Sequence, residues 1–158
     1  QPLDLSDFTR RVVTRITRSN PDAADIVLEA PEEVRVTADA EALGTILENL
    51  ISNAIKYGGE PPRVEVSVQA LDREAKIEVR DHGPGLDGKA ANRVFDPFVR
   101  GGGDLVASRP GIGLGLYLVS ELARALGGSV RAMNGDGGGL AMCVFLPLRP
   151  HVEGGIIS

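Results

Sequence analysis

The sequence predicts an α+β fold: a two-layer sandwich whose mixed, mainly antiparallel sheet is covered on one face by helices. Three observations carry that expectation. Short β-branched or alternating runs follow one another in adjacent pairs, which suits hairpins. Three segments repeat their apolar residues at helical spacing. Gly, Pro and Asn clusters separate these segments, and no regular β–α–β alternation runs along the chain, which argues against a doubly wound parallel sheet.

Taken in order, residues 3–19 place Leu5, Phe8, Val12, Val13 and Ile16 at helical spacing, with Ser6 as the expected cap and Asn20-Pro21 as the stop. Residues 26–30 and 34–37 are β-branched runs on either side of Pro31-Glu32-Glu33, and they read as two strands around a turn. Asp39 should cap a long helix reaching Tyr57, ended by Gly58-Gly59 and Pro61-Pro62. Residues 63–70 and 76–80 alternate apolar and polar side chains, so they predict an antiparallel hairpin with one wet face. Glycine clusters then run from Asp81 to Gly115, with at most a short helix over 89–94. Residues 114–126 predict an amphipathic helix closed by Gly127-Gly128, and 129–134 with 140–148 predict a last strand pair.

Composition narrows the functional classes. The chain has 158 residues, is 42% hydrophobic, and carries a net charge of −5, which describes one globular domain and disfavours general nucleic-acid binding. The longest apolar stretch, 140–148, contains Pro147 and falls far short of the ~18 to 20 residues that span a bilayer. Cys143 is the single cysteine, so no internal disulfide can form, and a reducing cytoplasmic setting is expected. Glycine is in excess: there are 20, of which 15 lie between Gly83 and Gly139, so the second half is expected to expose backbone. The start at Gln1 reads as that of a domain cut from a longer protein, with residues 1–149 as the domain and 150–158 as a flexible tail.

Three clusters can carry chemistry. Asn49, Asn53 and Lys56 fall within roughly 60° of one another on a helical wheel, about 130° from the apolar stripe of Leu43, Leu47, Leu50 and Ala54. Asn is a poor helix former, whereas its carbonyl oxygen suits a hard cation such as Mg²⁺, and a Lys one turn on suits phosphate. Asp81-His82-Gly83-Pro84-Gly85 follows a strand. A carboxylate there can accept a hydrogen bond from the exocyclic amine of adenine and would repel the carbonyl oxygen of guanine. Gly111-Ile112-Gly113-Leu114-Gly115-Leu116 opens a helix, where unpaired N–H groups attract an anion. No Lys-Ser or Lys-Thr follows it, so it is not a Walker loop, and the segment before it is loop, which excludes the dinucleotide fingerprint. Taken singly, the three also fit a solvated helix face, an Asp-Gly turn and a flexible hinge.

Order and spacing join them. An amide-bearing helix, then Asp-x-Gly-x-Gly, then Phe95-Asp96-Pro97-Phe98, then Gly-x-Gly-Leu-Gly-Leu resembles the N, G1, F and G2 boxes of the catalytic ATP-binding domain of sensor histidine kinases. That superfamily also holds gyrase, the Hsp90 chaperones and the mismatch-repair ATPases. The resemblance covers residues 3–148 and implies the Bergerat ATP-binding fold, with ATP and Mg²⁺ as ligands. It makes Asn53 a Mg²⁺ ligand, with Asn49 a second metal or phosphate contact. Lys56 and Tyr57 touch the phosphates or ribose, and Asp81 holds the adenine amine. Gly83, Gly85, Leu86 and Phe98 count with the nucleotide-binding residues. Arg100 reaches the γ-phosphate, and Gly111, Gly113, Leu114, Gly115 and Leu116 form the phosphate-cradling turn. Residues 96–111 correspond to a mobile lid. Two departures stand out: Leu140 occupies a place where the family often has Thr, and Pro110 one where glycine is common. Arg109 reads either as a second phosphate contact or as an exposed lid charge.

The resemblance also separates kinase from hydrolase. Hydrolysing members place a Glu four residues before the metal-binding Asn; here Asn49 stands there, and an amide cannot act as a general base. Glu48 is one residue off, rotated by about 100°. The same substitution disfavours the serine-phosphorylating anti-sigma branch. His82 and His151 both lack the setting of a phosphoacceptor, so the acceptor histidine is expected on an upstream dimerisation hairpin, to which Leu3-Asp4-Leu5 resembles the usual link. The implied activity is transfer of the ATP γ-phosphate to that histidine and thence to a response regulator, with the isolated domain monomeric and the full-length protein a homodimer. The cytoplasmic part of a membrane-anchored sensor fits the same reading. The alternative is a non-catalytic nucleotide-binding module that regulates a neighbour.

Overall fold

The structure is a computed structural model and describes residues 1–19, 25–31, 33–57, 62–83, 112–134, 139–148, 152–153 and 156–157. Its main sheet has five strands in the order β2-β4-β5-β7-β6. These are β2 (Asp25–Glu29), β4 (Arg63–Ala70), β5 (Glu74–Asp81), β7 (Leu140–Pro147) and β6 (Ser129–Asn134). Only the β2–β4 pair is parallel; the other three are antiparallel, so the sheet is mixed and mainly antiparallel as expected. The β4–β5 hairpin pairs Val66 with Val79 and Val68 with Ile77. Successive side chains alternate between faces, so Val64, Val66 and Val68 on β4 and Ala75, Ile77 and Val79 on β5 all turn inward and are buried.

Among the described residues, three helices cover that inner face: α1 (Leu5–Ser19), α2 (Ala40–Tyr57) and α3 (Ile112–Ala125). Helix α2 lies on β4 and β5 and touches both other helices. Its buried stripe, Leu43, Ile46, Leu47, Leu50, Ile51 and Ala54, meets the valines and isoleucine of the sheet in one core. Each fully buried Leu or Ile there contributes about 1.5–3 kcal/mol relative to exposure. Asp39 caps α2 as expected, its Oδ1 accepting from Glu41 N–H at 3.0 Å. At the far end of α3, Gly127 (φ +82°) donates to Arg124 O at 2.9 Å and Gly128 to Ala123 O at 2.8 Å, the paired bonds of a Schellman stop.

Three expectations are corrected. Helix α1 starts at Leu5, because residues Pro2–Asp4 form strand β1. Its cap is Asp4 rather than Ser6: Asp4 Oδ1 accepts from Ser6 N–H and Val34 N–H, both at 3.1 Å, tying the helix start to the chain before β3. Strands β2 and β3 (Arg35–Thr37) do not pair across their turn. β2 joins β4 in parallel, while β3 pairs antiparallel with β1 in a separate ribbon that reaches the sheet through a bridge from Val36 to Leu148. The proposed short helix over 89–94 lies outside the described residues.

At the C-terminal end, β8 (Val152–Glu153) and β9 (Ile156–Ile157) pair with each other. On the outer face of the sheet, Cys143 is buried beneath polar neighbours and donates to Glu78 Oε1 at 3.7 Å. Burial first, and then the Glu78 carboxylate, push its thiol up to about 11. Among the described residues, no helix is long and apolar enough to cross a membrane.

Candidate nucleotide site

Asp81 ends β5 and keeps the inward register of Ala75, Ile77 and Val79, so a carboxylate stands where the apolar row stops. It is 3% exposed. Burying a charge without partners is costly. Here Asp81 Oδ1 accepts from Gly83 N–H at 3.0 Å and from Leu140 N–H at 3.1 Å. The first bond is local and turns the chain out of the strand; the second crosses from the start of β7. The side chain of the intervening His82 goes to the opposite, outer face, where Nε2 lies 3.6 Å from Glu65 Oε1.

Asn49, Asn53 and Lys56 occupy the C-terminal half of α2, away from its buried stripe: the two amides are half-buried and Lys56 is exposed. Asn49 Nδ2 donates to Thr45 O at 2.7 Å, which orients the amide and leaves Oδ1 as its acceptor end. Glu48 faces elsewhere and pairs with Arg15 on α1. Among the described residues, no group of three or more His, Cys, Asp or Glu could hold a metal ion. The amide oxygens of Asn49 and Asn53, together with oxygens from a ligand, are a donor set that would fit Mg²⁺.

The third cluster lies at the start of α3. Gly113, Leu114 and Gly115 fall in the first turn of the helix, which begins two residues earlier than the sequence suggested. The N–H groups of a first turn have no partner within the helix. The Leu116 side chain is fully buried in the core, so a contribution from it to a ligand would come through its backbone. Helix α2 carries Asn49, Asn53 and Lys56 and touches both β5, which carries Asp81, and α3, so it links the three clusters. Tyr57 ends α2. Gly85, Leu86, Phe98, Arg100 and Gly111, with Arg109, Pro110 and the whole 96–111 segment, lie outside the described residues.

Sequence reasoning missed the backbone of Gly139 and Leu140. In the sequence Leu140 stands out only for its side chain, yet its N–H holds the Asp81 carboxylate across 59 residues of chain. The available signal was the glycine cluster that ends at Gly139, directly before an apolar strand.

Residues 38–150 match the family described as histidine kinase-, DNA gyrase B-, and HSP90-like ATPase. The signal transduction histidine-protein kinase AfsQ2 of Streptomyces coelicolor is 42% identical over 152 residues, covering 94% of this chain and 27% of its own length. The sensor histidine kinase WalK of Bacillus subtilis is 29% identical, over 96% of this chain and 25% of its own. The chain thus spans about a quarter of the length of these curated relatives. Among solved structures, the mycobacterial sensor histidine kinase MprB superposes with a TM-score of 0.79 at 29% identity, covering 96% of this chain and 99% of that one. The ATP-binding domain of PrrB from Mycobacterium tuberculosis gives 0.75 at 26% identity, over 94% and 96%.

Proposed function

This chain belongs to the histidine kinase-, DNA gyrase B-, and HSP90-like ATPase family, and on that premise we propose that it binds Mg²⁺-ATP and donates the γ-phosphate to a histidine on a separate dimerisation domain of a two-component sensor kinase. The observation that carries the reading is Asp81: an inward carboxylate, 3% exposed, held at a strand end by two backbone N–H groups. A carboxylate so placed is an acceptor for an exocyclic amine, and adenine offers one.

Asn53 and Asn49 would hold the Mg²⁺, which supplies neutralisation of phosphate charge when bound. Lys56 and Tyr57 would contribute at the phosphates or ribose, and the N–H groups of Gly113, Leu114 and Gly115 would donate to phosphate oxygens at the start of α3. Gly83, Gly85, Leu86 and Phe98 belong to the base-binding side, and Gly111 and Leu116 to the phosphate turn. The transfer forms a bond from a histidine ring nitrogen to the γ-phosphorus as the bond to the β–γ bridging oxygen breaks. ADP leaves with that electron pair, and the ring proton passes to solvent. Such transfers depend on positioning and on charge neutralisation at the γ-phosphate, the role assigned to Arg100. A response regulator would then take the phosphoryl group from the histidine. In this reading the chain works on the cytoplasmic side, and the whole protein is a homodimer.

Arg100→Ala tests the assignment. It is expected to bind ADP almost as wild type while transferring phosphate to a supplied histidine-bearing hairpin far more slowly. Unchanged transfer would remove Arg100 from the mechanism, and an equal loss of ADP binding would make it a general nucleotide contact.

A further inference from the structure

Strand β7 opens one step beyond the last paired residues of β5 and β7, Arg80 and Ala141, so Leu140 sits opposite Asp81. Gly139, just before it, has φ +84°, and a Cβ built there would collide with the Asp81 carbonyl oxygen. It would also stand 3.1 Å from the Asp81 carbonyl carbon and 3.3 Å from His82 Cα. The backbone of Gly139 therefore lies directly on the Asp81–His82 peptide, and that close approach brings the Leu140 N–H to 3.1 Å from Asp81 Oδ1. With Gly83 N–H at 3.0 Å on the same oxygen, the carboxylate is held from two separate chain segments. Two donors on one oxygen fix both the position and the rotation of a carboxylate, and hence the direction its second oxygen faces.

We infer that Gly139 and the Leu140 N–H are positioning elements for base selection: Gly139 permits the backbone approach, and the Leu140 N–H sets the Asp81 carboxylate in the orientation that accepts an exocyclic amine. The inference rests on the reading of Asp81 as the adenine acceptor. A side chain at position 139 pushes the Asp81–His82 peptide away, turns the carboxylate and lowers the advantage of bases that carry the amine. Specificity is thus set by a residue without a side chain.

The test compares ATP with purine riboside 5′-triphosphate, which lacks only the exocyclic amine, by calorimetry on wild type, Asp81→Asn and Gly139→Ala. Wild type should prefer ATP by about 10- to 150-fold, the range for a hydrogen bond to a charged group. Asp81→Asn and Gly139→Ala should each reduce that ratio to less than about threefold, and Gly139→Ala made in the Asp81→Asn background should lower it no further. A merely destabilised domain would lose both nucleotides alike and keep the ratio. If Gly139→Ala fails to fold, replacement of Leu140 by its α-hydroxy acid removes the N–H and keeps the side chain; the same fall in ratio is expected. A folded Gly139→Ala or hydroxy-acid variant that keeps the wild-type ratio, while Asp81→Asn loses it, overturns the positioning role alone. A wild type without preference for ATP overturns the reading of Asp81 and this inference with it.

Discussion

Replacing Asp81 with Asn keeps the shape of a side chain that is 3% exposed and exchanges one oxygen for an NH₂ group. The structure settles which one. Oδ1 accepts from Gly83 N–H at 3.0 Å and from Leu140 N–H at 3.1 Å, and an amide satisfies both donors only with its own oxygen in that place. The NH₂ group then takes the position of Oδ2. For the fold, the bonds from Gly83 N–H and Leu140 N–H change from charge-assisted to neutral while the burial of a charge is relieved, two opposing effects of about 1 kcal/mol each. For the ligand, an amine that met an acceptor now meets a donor, and the loss is ~1.5–3 kcal/mol, about 10- to 150-fold in Kd. Calorimetry with ATP, ADP and GTP reads the binding, and a thermal melt confirms that the variant is folded. Equal wild-type affinities for ATP and GTP, or undiminished ATP binding by the folded variant, would refute this use of the carboxylate.

Asn53→Ala should weaken ATP binding in Mg²⁺ far more than in EDTA; an identical loss in both buffers would make Asn53 a direct or structural contact. Thr9 on α1 is fully buried, and its Oγ1 has no hydrogen-bond partner among the described residues. Thr9→Val should therefore be neutral or stabilising by up to about 1–2 kcal/mol in urea denaturation, and a loss of similar size would show that the hydroxyl is satisfied. The Cys143 thiol is pushed up from 9.0 to about 11, so the folded state holds that proton more tightly than the unfolded chain. The resulting stability is complete below pH 9 and fades between pH 9 and pH 11. Over that window wild type should lose more stability than Cys143→Ala, and parallel pH curves would contradict the assignment.

What the sequence disclosed and what it hid divide along contact range. The β4–β5 hairpin was legible because its alternation is local and its inner row, Val64 to Val68 against Ala75 to Val79, agrees with the pairing register. The polar stripe of α2 was legible because helical angles follow from spacing alone. Strand partnership was not. The run at 26–30 looks like a hairpin arm, yet Ile26 and Leu28 are placed beside Val64 and Val66 by a parallel pairing that no adjacent turn encodes. The three-residue β1 was too short to show a period, and two capping residues, Asp4 and Ser6, stood close together, while the bonds that Asp4 accepts from Ser6 N–H and Val34 N–H depend on the folded backbone. Asp81 was visible as a carboxylate at a strand end. Its cross-strand donor was not, because a backbone N–H carries no side-chain signature.

The most direct measurement of the central claim is a time course with γ-labelled ATP, in which the wild-type domain is incubated with and without a histidine-bearing dimerisation hairpin. In the proposed reading Asn49 takes the place of a water-activating Glu, and an amide cannot activate water; Glu48 is engaged with Arg15. The account predicts that label accumulates on the hairpin as an acid-labile, alkali-stable phosphohistidine, and that free phosphate appears only slowly when the hairpin is absent. Brisk phosphate release without the hairpin, or binding of ATP with no label ever reaching a competent hairpin, would contradict it.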